Sequence, residues 1–248
     1  MSCVDYDSQA DKWSKDKPIH LSGIIARQII YDWIKECGAG KTVLDAGCGE
    51  GYPARVMAYY VAKIIAFDNS KGMLEKAIAK EREKPLGIVY LCGDLCDMSF
   101  IPDESIDIFV ANFSLHYLTP DELPKLYNDV SRVLVSGGEF MISTSHPCFI
   151  LSERLDNTHR FDLEDFHYQK SKGIGYKGKL KTIIGTTLEV GGYHSKLEDH
   201  FKGIHQAGLA VTLLKEPEVS SEVVKQYPMF KKLENEVLFL VMRGMKIK

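Results

Sequence analysis

The stretch "VLDAGCGEGYPARVMA", which begins at Val43, limits the possible folds more than any other part of the chain. "TVLD" (42–45) reads as a short buried strand, and Gly47, Gly49 and Gly51 then stand at alternate positions before a helical pattern. Glycine reaches positive φ and carries no Cβ, so the chain can turn sharply from strand to helix while a ligand lies against its backbone. In an open α/β sheet, ligands settle just outside the carboxyl ends of the strands. The spacing is G-x-G-x-G, whereas dinucleotide sites use G-x-G-x-x-G. Asp45 at the strand end would repel a pyrophosphate and suit a cation. Both features count against a nicotinamide oxidoreductase.

Strand and helix signals alternate from residue 20 to about 146. Leu21, Ile25, Ile29 and Trp33, with Ile24 and Ile34 beside them, form one apolar helical face that Gly38 and Gly40 end. "YPARVMAYYVAK" reads as a helix and "IIAFD" (64–68) as a second strand, after which Ser70 is positioned to cap "KGMLEKAIAKEREK". "IVYLCG" (88–93), "IDIFVANFS" (106–114) and "EFMISTS" (139–145) supply further strands. Between the last two, Thr119-Pro120-Asp121-Glu122 has the form of a capping box. Short apolar strands separated by helices describe a parallel sheet covered on both faces.

The rhythm breaks after His146-Pro147. Residues 148–192 are polar, aromatic and lysine-bearing, with "KLKTIIGTTLEV" supplying one extra strand. A helix "SKLEDHFKGIHQAG" and two strands, "LAVTLLKEP" and "EVLFLVMR", follow. The expected organisation is an N-terminal cap or lid over residues 1–40 and a cofactor-binding domain over 41–248, with an inserted substrate lid at about 148–192.

Acids recur at the strand ends. Asp68 closes the second strand, where a carboxylate can accept charge-assisted hydrogen bonds from ribose hydroxyls. Asp94 in "GDL" closes the third, in reach of an adenine amino group, and "ANFSLHYL" (111–118) follows the fourth.

These segments resemble the class I S-adenosylmethionine-dependent methyltransferases, and the likeness spans roughly residues 40–146. "VLDAGCGEG" is similar to that family's first motif, "AFDNS" to its ribose acid, "GDL" to its adenine-site acid and "VLVSGGEFMIST" to its helix–Gly-Gly–strand passage. The resemblance implies a Rossmann-like α/β fold, a seven-stranded sheet whose last strand runs antiparallel, with helices on both faces and an N-terminal helical cap. It implies S-adenosyl-L-methionine as cofactor and S-adenosyl-L-homocysteine as product. Gly47, Cys48 and Gly49 would pack against the cofactor's methionyl part, with Asp45 favouring its ammonium, and Gly51 would complete the cofactor-binding loop. Asp68 would hold the ribose, Asn69 and Met73 flank the adenosine, Asp94 and Leu95 frame the adenine, and Asn112 and Phe113 close the methionyl side. Tyr52 and Pro53 depart from the small or polar residues common after the last glycine.

A sulfonium already activates its methyl group, so the protein must align an acceptor, exclude water and take up a proton where one is released. Candidate bases are His146, just past the fifth strand, and Tyr193-His194, before the helix leading to the sixth. His116, Tyr117 and Tyr176 are candidates for contact with the acceptor. Tyr6 and Trp13 are candidates for a lid over the cofactor. Phe161, Phe166 and Tyr168 accompany Tyr176 in the lysine-bearing insertion, a pattern that can bind nucleic acid. The net charge of −3, from 31 Lys plus Arg against 34 Asp plus Glu, favours a lid over a small-molecule pocket instead.

The Cys92-x-x-x-Cys96 pair lacks partners at zinc spacing, so no metal is expected. No stretch nears the roughly 20 apolar residues of a membrane span, and six cysteines without an export signal fit a cytoplasmic, reduced setting. The expected function is methyl transfer to an O, N or C atom of a small metabolite, by a monomer or homodimer with no nucleic-acid or membrane partner. The alternative is a non-catalytic cofactor-binding module that regulates a partner enzyme.

Overall fold

The computed structural model describes residues 4–13, 17–148, 159–162 and 166–247, with the backbone alone described at 159–162. A short helical turn at Asp7–Gln9 leads into α1 (Ala10–Trp13), and α2 (Leu21–Ile24) and α3 (Ala26–Cys37) follow. The alternating body comprises β1 (Thr42–Ala46), α4 (Tyr52–Met57), β2 (Lys63–Asp68), α5 (Lys71–Glu83), β3 (Val89–Cys92), β4 (Ile106–Asn112), α6 (Leu123–Val133) and β5 (Leu134–Ser145). The inserted region holds β6 (His159–Asp162), β7 (Gly175–Lys181) and β8 (Thr187–Tyr193). The chain then closes with α7 (Leu197–Gln206), β9 (Leu209–Lys215), α8 (Ser221–Gln226) and β10 (Phe239–Lys246).

The main sheet has seven strands in the order β3-β2-β1-β4-β5-β10-β9. β10 runs antiparallel to both β5 and β9, as expected for the last strand. Successive side chains of a strand face opposite sides, and both sides are covered. Val43, Ile108, Val110, Met141 and Val241 meet Ile30, Trp33 and Ile34 of α3 on one face. Leu44, Phe109, Phe140, Ile142 and Leu240 meet Leu126, Tyr127 and Val130 of α6 and Ile204 of α7 on the other. Strand order reverses between β1 and β4, which opens a crevice at their carboxyl ends.

Three expectations are corrected. The helical face at the N-terminus breaks at Ile25 (φ −108°, ψ −68°), so the fully buried stripe is Ala26, Ile30 and Ile34, while Ile25 and Ile29 are only partly buried. The helix after the glycine loop stops at Met57, and Tyr59 and Tyr60 project into solvent. "KLKTIIGTTLEV" forms two strands, not one: β7 and β8 are an antiparallel hairpin that turns at Gly185 (φ +83°) and, with β6, makes a separate three-stranded sheet. Tyr176 and Gly178 are buried while Lys177, Lys179 and Lys181 are exposed, so the hairpin turns its lysines to water. Among the described residues no helix is long and apolar enough to cross a membrane.

Candidate active site

The glycine loop after β1 is built by backbone constraint. Gly47, Gly49 and Gly51 adopt φ of +72°, +56° and +78°, a region costly for residues with a Cβ. At Gly47 a Cβ would also come within 2.4 Å of Ser114 Cβ, whereas at Gly49 nothing lies within 4 Å. The backbone N–H groups of Gly47 and Cys48 both donate to the Phe67 carbonyl at 2.9 Å, which ties the loop to the end of β2. Asp68 accepts from Gly49 N at 2.8 Å through Oδ2 and from Ser70 N at 2.9 Å through Oδ1. Each oxygen keeps a further lone pair. Burial pushes the Asp68 carboxyl up, against the pull of these backbone donors.

A cavity of about 270 Å³ opens above the loop. Its floor holds Gly47, Cys48, Gly49, Asp68, Asn69, Met73, Asp94, Leu95, Asn112 and Phe113. His116, Tyr117 and Tyr176 stand on its far side, and Tyr6 and Trp13 lie on its roof. These fifteen residues, proposed from sequence as cofactor or acceptor contacts, are therefore brought to one cavity. Asp94 also caps its own turn, accepting from Cys96 N at 2.7 Å.

The roof is clasped from both sides. Asp7 Oδ1 accepts from Gly72 N and Ser70 Oγ at the start of α5. Gln9 exchanges hydrogen bonds with the backbone of Glu189 in β8. The hydroxyls of Tyr6 and Tyr117 are hydrogen-bonded, and Trp13 packs edge-on against His20 at 5.3 Å. Ile183 N, beside the hairpin turn, donates to the Ile19 carbonyl.

Five expected site residues stand off this wall. Asp45 is fully buried behind it, both carboxylate oxygens lack partners, and burial raises its pKa to about 7 while nearby Arg27 pulls the other way. Gly51 packs against the Tyr90 ring and does not reach the cavity. His146, Tyr193 and His194 line a second, much smaller hollow that shares only His116, Ser145 and Tyr176 with the first. Both ring nitrogens of His146 are engaged, Nε2 with Glu216 at 2.8 Å and Nδ1 with Cys148 N at 3.1 Å. His194 Nε2 donates to the Tyr168 carbonyl at 2.8 Å, and Phe166 stacks edge-on against the same ring. The side chain of Phe161 lies outside the described residues.

Sequence reasoning missed several cavity residues. Arg27 was hidden because a lone arginine on an amphipathic helix reads as surface. His20 and the rest of the Lys17–Ser22 segment reach the wall only because the N-terminal segment folds back to the carboxyl ends of the strands. His116 is distinct among the histidines. It lines both the main cavity and the smaller hollow, Nδ1 is shielded and without a partner, and burial lowers its pKa to about 4.

The seven-stranded order with an antiparallel last strand, and a glycine loop and ribose-type acid at the reversal point, define the class I methyltransferase architecture. The comparisons agree. Residues 43–138 match the family model described as a methyltransferase domain. A probable S-adenosylmethionine-dependent methyltransferase of Mycolicibacterium smegmatis is 32% identical over 183 residues, covering 74% of this chain and 63% of the relative. An uncharacterised methyltransferase of Bacillus subtilis is 32% identical over 107 residues, 43% of this chain and 42% of the relative. The chain thus spans less than two thirds of the length of these curated relatives. Among solved structures, an S-adenosylmethionine-dependent methyltransferase from Mesorhizobium loti superposes with a TM-score of 0.68 at 21% identity, over 89% of this chain and 97% of that one, a likeness of fold. Residues 43–138 thus form a methyltransferase domain, and the chain is similar over most of its length to S-adenosylmethionine-dependent methyltransferases of class I fold.

Proposed function

We propose that the protein transfers the methyl group of S-adenosyl-L-methionine to an O, N or C atom of a small-molecule metabolite. The single observation that carries the small-molecule reading is the roof. Tyr6 and Trp13 of the N-terminal segment enclose the cavity together with Tyr176, Leu180 and Val190 of the inserted hairpin, and its volume is about 270 Å³. That volume lies just under the lower end of small-ligand sites, about 300 Å³, so the covered space suits small ligands and not a polymer.

The residues fit the cofactor. Asp68 has lone pairs to spare at the place of a ribose, the glycine loop offers a Cβ-free surface, and Asn112 Nδ2 is a shielded donor with no partner. When bound, the cofactor supplies a methyl group already activated by its sulfonium. The protein's part is to orient, exclude water and take up a proton. Tyr117 and Tyr176 give the acceptor rigid walls, and Tyr6 and Trp13 keep water from it. We assign proton uptake to His116 in place of His146 or His194. His116 lines the cavity with Nδ1 unpartnered, so it offers a free nitrogen, a weak base because burial lowers its pKa to about 4, whereas both ring nitrogens of His146 are hydrogen-bonded.

The alternative, a regulatory module without chemistry, calls for a cavity that ends at the methyl group. Here the wall continues past Asn112 and Phe113 to His116, Tyr176 and Ser145, which favours catalysis. Titration calorimetry with S-adenosyl-L-homocysteine, then transfer of a tritiated methyl group to the small-molecule fraction of a cell extract, tests the proposal. Product binding with transfer is expected. Failure to bind rejects the cofactor, and binding without any transfer favours the regulatory module.

A further inference from the structure

The two faces of the inserted hairpin differ sharply in chemistry. Along β7, Tyr176 and Gly178 are buried and Leu180 is half-buried, while Lys177, Lys179 and Lys181 alternate with them toward water. The register sets Tyr176 opposite Gly192, Gly178 opposite Val190 and Leu180 opposite Leu188 of β8. Directly opposed residues of an antiparallel pair share one face, so the inner face is built from tyrosine, leucine, valine and glycine. Glu189, opposite Lys179, lies on the outer face with the lysines.

That inner face meets one particular half of the crevice. Gly49, Asp68 and Asp94 stand at the carboxyl ends of β1, β2 and β3, the half that the cofactor reading gives to the ribose and adenine. His116 and Ser145 stand at the ends of β4 and β5, the other half. A Cβ on Gly192 would come within 2.5 Å of the His116 carbonyl oxygen and 3.0 Å of both the His116 ring and the Tyr176 hydroxyl. The hairpin therefore presses on the turn at Leu115–Tyr117, beyond β4. Tyr176, Leu180 and Val190 line the main cavity there, together with Pro18 and Ile19. The Ile183 N–H, donated to the Ile19 carbonyl at 2.9 Å, ties the two segments.

Charge is distributed unevenly around the same cavity. Its acids are already engaged: Glu50 with Arg55 and Lys80, Glu122 with Thr119, and Asp68 and Asp94 with backbone donors of their own turns. Of its cations, Arg27 lies over the Phe113 ring and Lys17 is exposed. The hairpin and the Pro18–Ile19 strap add no charged group to the wall. An unpaired charge is costly in such surroundings, whereas burial of apolar area is favourable.

We infer that the hairpin end of the cavity is the acceptor subsite and takes a compact molecule that is uncharged at neutral pH. Its ring-sized apolar body lies against Leu180 and Val190, and its reacting polar atom points to Tyr176 and His116. This rests on the methyl-transfer reading above and narrows its acceptor. Alcohols and phenols are admitted, and aliphatic amines, carboxylates and phosphates are refused. Leu180 and Val190 are then residues that determine specificity.

Benzyl alcohol, benzoate and benzylamine, a cation at neutral pH, are probes of matched size that differ in charge. Their affinities are measured by ligand-observed NMR on protein saturated with S-adenosyl-L-homocysteine. Benzyl alcohol should bind the wild type, and the two ions should bind at least about tenfold more weakly. Leu180→Asp should reverse the order, weakening benzyl alcohol and strengthening benzylamine, a gain that misfolding does not produce. Its affinity for S-adenosyl-L-homocysteine should stay within about twofold of wild type. Either ion binding the wild type as tightly as the alcohol would overturn the inference, with benzoate pointing to Arg27 or Lys17. It would fall equally if loaded protein bound none of the probes, or if Leu180→Asp kept the wild-type order. A wild type that does not bind S-adenosyl-L-homocysteine would instead reject the cofactor reading beneath it.

Discussion

Asp7 caps the backbone of Gly72: its Oδ1 accepts the Gly72 N–H at 2.8 Å across 65 residues of sequence. Ser70 Oγ donates to the same oxygen at 2.5 Å, and these contacts lower the Asp7 pKa. The roof segment is thereby fastened beside Asp68, the acid proposed to hold the ribose. The proposed cofactor contact and the roof fastening thus share one helix start.

Asp7→Ala should loosen the roof without unfolding the domain. Because the carboxylate is largely exposed, its contribution is screened, and affinity for S-adenosyl-L-homocysteine should fall by no more than about threefold. Limited proteolysis between residues 4 and 20 should quicken. An unchanged cleavage pattern would show that Asp7 does not hold the segment.

The glycine loop separates folding from binding. Gly49→Ala meets no atom within 4 Å and carries only the strain of φ +56°, about 1–3 kcal/mol. It should leave a folded protein that binds the cofactor product poorly. Gly47→Ala adds a 2.4 Å clash with Ser114 Cβ, so it should show a clearly lower melting temperature as well. Equal melting temperatures for the two variants would contradict the packing described at Gly47.

Asp45 should make ligand-free stability depend on pH. Its folded pKa of about 7 lies above the unfolded value of 3.8, so the folded state holds the proton more tightly. The unfavourable contribution is absent below about pH 4 and grows as pH rises through 7. Melting temperature of the wild type should therefore fall more steeply than that of Asp45→Asn between pH 5 and about 8. Binding of an ammonium nearby favours the carboxylate, so calorimetry near pH 7 in buffers of different ionisation enthalpy should register proton release. Parallel stability curves and no release would remove the buried charge from the account.

His116 and His200 act in the opposite direction. Burial lowers both imidazoles to about 4, so their stabilising neutral forms are lost as pH falls from 6.5 toward 4. Catalysis through neutral His116 should accordingly keep its rate down to about pH 5, without a limb near 6.5. His116→Gln should reduce transfer by about 10²- to 10⁴-fold with cofactor affinity intact, and His146→Gln should stay within about twofold of wild type. The reverse ranking would return the proton to His146.

Much of the framework could be read from local pattern. Strand ends at Asp45, Asp68 and Asp94, the glycine run and the Ser70 cap, whose Oγ accepts from Met73 N at 3.2 Å, all depend on residues near one another in sequence. The hairpin of the insertion was also legible in principle. "YKGKLK" alternates lysine with inward residues, the period of two that marks a half-buried strand, though glycine in it obscured the pattern.

What the amino-acid order determined alone is the alternating sheet and a floor able to cradle a cofactor, because strand periodicity, glycine φ and helix caps act over a few residues. Only the tertiary structure decided which side chains share the cavity. It brought Arg27, His20 and Tyr6 to the wall by folding the N-terminal cap over the sheet, set His146 and His194 in a second, smaller hollow, and sealed Asp45 beneath the loop. Those positions follow from burial and electrostatics among residues far apart in the chain, and no local spacing encodes them.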